Sequence, residues 1–91
     1  MASDFQIFSL KTQNSLHLKL TGDFDGSSAH ELMNTLTKHG TGFGDIYIDT
    51  DNLKSIHPFG IDVLQKNLNG IKKQLKNLFF FGANKYKIAP N

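Results

Sequence analysis

The sequence predicts an α/β domain on a mixed four-stranded sheet: an N-terminal hairpin, then two strand–helix–strand crossovers, with helices packed on the sheet. Three observations carry this reading. Leu16, Leu18 and Leu20, and later Ile46 and Ile48, alternate with more polar neighbours at the period of two that marks a half-buried strand. Ala29, Leu32, Met33 and Leu36, and later Ile61, Leu64, Leu68 and Ile71, recur at helical spacing. Leu78-Phe79-Phe80-Phe81 is a continuous apolar run between Asn77 and Gly82, the pattern of a buried parallel strand.

Each element has its own local reason. Phe5 to Thr12 is rich in β-favouring residues, and Gln13-Asn14-Ser15 has turn character, so the first two strands form a hairpin with His17 on the polar face. Gly22 to Gly26 is a loop. Ser28-Ala29-His30-Glu31 has the Ser-x-x-Glu form of a capping box, which starts a helix at Ser28 that runs to His39, with Gly40 as its C-cap. The spacing of Asp23, Asp25 and His30 invites a metal reading, but the two aspartates fit turn and capping roles better.

Gly40-Thr41-Gly42-Phe43-Gly44 follows a helix and opens a strand, the reverse of a phosphate-binding loop, and no Lys-Ser/Thr comes after it. A strand is expected over Ile46 to Asp49. Asp49-Thr50-Asp51-Asn52 begins like a calcium loop, yet Leu53 sits where an oxygen ligand belongs and no glycine or closing glutamate completes it. Pro58, with φ already near the helical value and no N–H to leave unpaired, starts a second helix that extends to about Lys76. Two crossovers then make the second, third and fourth strands parallel. Leu18, Leu20, Leu32, Leu36, Ile46, Ile48, Leu64 and Phe80 are the expected core, and residues 1–91 a single domain with its folded part at about 5–82 and a short polar tail over 83–91.

Composition narrows the functions. A 91-residue chain is one small domain that buries about 60% of its unfolded surface, and its eight Phe residues help to supply the core. The absence of cysteine excludes a disulfide framework, a thiolate zinc site and a thiol nucleophile. No stretch approaches the ~18 apolar residues of a membrane span, and Met1-Ala2-Ser3-Asp4 lacks the form of a signal peptide, so a cytoplasmic location is expected. Charge is divided: residues 1–51 hold three lysines against seven acidic residues, and residues 52–91 hold seven lysines against Asp62 alone. All ten basic residues are Lys, and without the bidentate fork of Arg a nucleic-acid reading is weakened.

From Asp49 to Gly60 the sequence resembles the STAS family, the domains of anti-sigma factor antagonists and of the cytoplasmic tails of sulfate transporters. The family line is a strand ending in Asp, seven residues with an apolar pair, then Asp-Ser-Ser/Thr-Gly opening a helix, and Asp49, Leu53, Ile56 and Gly60 fit it without a gap. Upstream, Leu18 to Asp25 is similar to the family's strand followed by Gly-x-Leu-Asp, with Phe24 for Leu. The resemblance covers most of residues 5–82. It implies a STAS-like fold whose C-terminal helices are truncated here. Where the family carries Asp, the phosphorylated Ser, and Ser or Thr, this chain has His57, Pro58 and Phe59, so the resemblance implies a module without the hydroxyl switch at position 58. Ser55 is the nearest substitute, and no phosphate is expected on it.

The expected function is therefore a small protein–protein interaction module without enzymatic activity, metal or cofactor. Its expected partner-binding residues are His57, Pro58, Phe59 and Gly60, with Asp23 and Asp25, and its implied partner is an anti-sigma kinase-like protein or a transporter component. Two readings of Phe59 stay open: an aromatic anchor facing outward, or a plug folded into the domain. The alternatives are a subunit of an ABC-type lipid transporter, or a nucleic-acid binder using Lys72, Lys73, Lys76, Lys85 and Lys87 with Tyr86. An enzyme lacks support, because no nucleophile or carboxylate pair stands in a recognisable motif.

Overall fold

Three parallel strands and one antiparallel edge strand make up the sheet in a computed structural model, which describes residues 4–71 and 77–88. In chain order the elements are β1 (Gln6–Lys11), β2 (Ser15–Phe24), α1 (Gly26–His39), β3 (Asp45–Ile56), α2 (Pro58–Ile71), β4 (Asn77–Phe81) and a short α3 (Lys85–Ile88). The strands lie side by side in the order β1-β2-β3-β4, with β1 antiparallel to β2 and the other pairs parallel. This is the predicted mixed sheet. Among the described residues no helix is long and apolar enough to cross a membrane.

The hairpin closes locally, through a Thr12 N–H bond to the Ser15 carbonyl and a Ser15 N–H bond to the Thr12 hydroxyl. On the helix-bearing face, Leu16, Leu18 and Leu20 of β2 and Ile46 and Ile48 of β3 join Leu32, Leu36, Leu64 and Leu68 in one buried cluster. Each such side chain contributes about 1.5–3 kcal/mol on leaving water. All the expected core residues are buried except Phe80, which is half-buried.

Four local expectations are corrected. First, α1 begins at Gly26 and is capped by Asp25, whose side chain accepts the Ser28 N–H. Ser28 does not cap, because its hydroxyl donates to the Asp23 carbonyl and to Asp25 Oδ1. Second, β3 does not stop at Asp49 and Gly22 to Phe24 are not loop: β2 and β3 pair as far as Phe24 and Ile56, with two irregularities that each shift the register by one residue. Third, β4 alternates, exposing Phe79 and Phe81 while Leu78 and Phe80 face inward, because among the described residues helices pack on one face of the sheet only. Fourth, residues 85–88 are helical and Ile88 is fully buried in the core. The tail is held there by Thr50: its hydroxyl donates to the Phe81 carbonyl and accepts the Asn84 N–H, and its own carbonyl accepts the Asn84 amide. Residues 72–76, the expected end of the second helix, lie outside the described residues, and with them Lys72, Lys73 and Lys76.

The opposite face of the sheet carries no helix among the described residues. Strand register sets two rows of side chains across it, Leu10–His17–Tyr47–Phe79 and Phe8–Lys19–Asp49–Phe81. In the first row the rings stack in series, His17 on Tyr47 at 4.8 Å and Tyr47 on Phe79 at 5.2 Å between centroids. His17 is thus a surface histidine, as its place in the alternation predicts.

Candidate functional site

The carboxyl ends of β2 and β3 and the amino ends of α1 and α2 meet at one end of the domain, because parallel strands joined by right-handed crossovers place every strand-to-helix turn on the same side. The ladder holds through this end: Asp23 pairs with Ser55 and Phe24 with Ile56, and the His57 N–H donates to the Phe24 carbonyl at 2.8 Å. The His57 carbonyl then accepts from Ile61 N–H, which opens α2 with Pro58 as its first residue.

Polar side chains beneath the turn are committed internally. Ser55 Oγ donates to Asp23 Oδ1 at 2.7 Å, and Asp25 holds the first turn of α1. The Ser28 N–H and hydroxyl hold the Asp25 carboxyl below the usual aspartate range, with a smaller contribution from His57 nearby. A depressed value stabilises the fold above the unfolded pKa of about 3.9, and the contribution is lost as pH falls through the folded value. Replacing this cap with alanine is expected to lower stability by about 1 kcal/mol at neutral pH, and by less once acid has protonated the folded-state carboxyl, in acid titrations of both proteins followed by circular dichroism.

The two helix ends touch backbone to side chain. A Cβ on Gly60 would lie 2.7 Å from the Asp25 carbonyl oxygen, and one on Gly26 would lie 2.7 Å from the ring of Phe59. Gly60 therefore lets α2 approach the cap of α1, and Gly26 leaves a shelf on which one edge of Phe59 rests. The remainder of that ring is open to solvent, at 69% exposure, and His57 and Pro58 are exposed beside it. Phe59 does not fold inward as a plug.

Of the six expected site residues, the structure gathers all at this end of the sheet and divides them by role. His57, Pro58 and Phe59 form the exposed lip, whereas Gly60, Asp23 and Asp25 hold the frame under it. Gly26, Ser28 and Ser55 were not foreseen in these roles, although the small residue directly after the Asp25 cap was a signal that something packs over it. Among the described residues no group of three or more His, Asp or Glu is placed to hold a metal ion, and His30 is exposed on α1.

No family model and no curated protein sequence matches this chain. Solved structures do. A structure described as an antisigma-factor antagonist STAS domain from Rhodobacter sphaeroides matches with a TM-score of 0.65 at 12% identity over 89% of each chain. The chain has the STAS-domain fold. An anti-sigma factor antagonist from Mycobacterium paratuberculosis matches with a TM-score of 0.66 at 12% identity, over 92% of this chain and 74% of that one. Mglu matches with a TM-score of 0.70 at 15% identity over 80% of this chain, which spans only 18% of Mglu.

Proposed function

We propose that this chain is a regulatory interaction module of the anti-sigma factor antagonist type, which docks a protein partner through His57, Pro58 and Phe59 at the start of α2. The observation that carries the reading is Phe59, a large apolar ring held outward at 69% exposure on a frame of paired strands and abutting helix ends. Aromatic side chains presented on a rigid support are the residues that most often dominate an interface. Asp23, Asp25 and Gly60 serve the surface by fixing its frame. With proline at position 58 the docking surface has no hydroxyl there to phosphorylate, so its partner binding is constitutive at that residue. The nearest serine along the chain is Ser55, whose Oγ is half-buried and hydrogen-bonded to Asp23.

The decisive experiment pairs two measurements on Phe59→Ala, with a partner first isolated by pull-down from the native host. Affinity is expected to fall by about 2 kcal/mol, roughly thirtyfold, while the stability in urea changes by less than about 1 kcal/mol because the ring is largely exposed. Unchanged affinity would remove the docking surface from this turn.

A further inference from the structure

The uncovered sheet face carries chemistry the proposed docking turn does not use. Phe8, Leu10, Phe79 and Phe81 are 41–66% exposed on it. Taking about 200 Å² for each free side chain, they present roughly 400 Å² of apolar surface, within the range of the largest patch on an ordinary monomer and commonly functional at that size. The order of residues is the informative part. Across the sheet, one row reads apolar, cation, anion, apolar (Phe8, Lys19, Asp49, Phe81), and the next is apolar at both ends around His17 and Tyr47.

We infer that this face pairs with the same face of a second copy of the chain, in a two-fold dimer whose axis runs parallel to the strands between β2 and β3. That rotation sets β1 over the partner's β4 and β2 over the partner's β3 while keeping each row in register. Phe8 then meets the partner's Phe81 and Leu10 the partner's Phe79. Lys19 meets the partner's Asp49, and Asp49 the partner's Lys19. An isologous interface needs a patch complementary to itself, and a row with one charge of each sign inside two apolar ends satisfies that only about this axis. Two twisted sheets stack in this way at about 10 Å with their strands nearly aligned.

The face suits a second sheet better than single-stranded nucleic acid. Base stacking needs free ring faces, whereas Tyr47, at the centre of the face, is stacked between His17 and Phe79. Asp49 would also repel phosphate. The apolar patches and the rows between them bury an area near the lower end of specific interfaces, so the dimer is weak and concentration-dependent. The inference is independent of the turn at Phe59, which lies at the end of the sheet and stays free in the dimer.

Sedimentation equilibrium over a concentration series tests it with the full chain. The wild-type chain is expected to shift from monomer to dimer, and Leu10→Ser or Lys19→Glu to raise the dissociation constant at least about tenfold with an unchanged circular dichroism spectrum. Asp49→Lys should do the same alone, and an equimolar mixture of Lys19→Glu with Asp49→Lys should associate again, since only across chains do their charges then match. A wild-type chain that stays monomeric throughout, a dimer indifferent to Leu10→Ser and Lys19→Glu, or a monomer that binds oligothymidylate through this face would overturn the inference.

Discussion

Replacing Gly60 with valine is expected to lower stability by roughly 3 kcal/mol, while alanine at Gly70 in the same helix raises it by about 0.5–1 kcal/mol. At Gly60 the new Cβ would stand 2.7–2.9 Å from the carbonyl oxygen, carbonyl carbon and Cα of Asp25, all backbone atoms that cannot rotate aside. Either α2 retreats or Asp25 shifts, and a shifted Asp25 gives up the cap of α1. At Gly70 nothing lies within 4 Å of the added carbon, so the helix gains only the lower backbone entropy of the unfolded alanine chain. A domain of this size is stable by about 5–14 kcal/mol, so the loss at Gly60 is a large fraction of the total, and each kcal/mol moves the melting temperature by about 4–8 °C. Thermal and urea denaturation of both variants check the pair. Equal effects at the two glycines would mean that the helix ends are not in contact.

Ile88→Ala is expected to destabilise the domain by about 2–4 kcal/mol, the range for deleting a fully buried aliphatic side chain and leaving a cavity. Ile88 has no exposed surface, and α3 reaches the core through the turn that Thr50 anchors to Phe81 and Asn84. For an unattached polar tail the change would be within about 0.5 kcal/mol. Urea unfolding therefore separates a structural α3 from an appendage, and a small effect would show that Ile88 is dispensable to the core.

Several features were legible in the sequence because their causes are local. The alternation at Leu16, Leu18 and Leu20 exists because one face of β2 is buried and the other is not, and the spacing of Leu64 and Leu68 follows from the pitch of α2. Pro58 marks the start of α2 by its own covalent ring. The rule that crossovers make joined strands parallel extended these local signals to the strand directions. The turn from His57 to Gly60 and the segment from Asp23 to Asp25, both singled out in the sequence, lie together at one end of the sheet.

Other features depend on partners distant in the chain. Ser28 and Asp25 both suit a helix start, and the choice of Asp25 followed from the carbonyl of Asp23, which lies where it can take the Ser28 hydroxyl. The run Leu78 to Phe81 reads as buried on both sides because apolarity does not reveal which face of a strand is covered, and only the packing of helices on one face of the sheet leaves Phe79 and Phe81 exposed. Whether Phe59 points in or out turned on Gly26, thirty-three positions earlier, which supplies the shelf for its ring. By itself the sequence determined the four strands, the two long helices, their order along the chain, the strand directions of the mixed sheet and the turn at which strand passes to helix, since each follows from backbone periodicity and local chemistry. Only the tertiary structure decided which aromatic rings face water and which glycine holds two helix ends together, because exposure and close approach are set by contacts between segments that are remote in the chain.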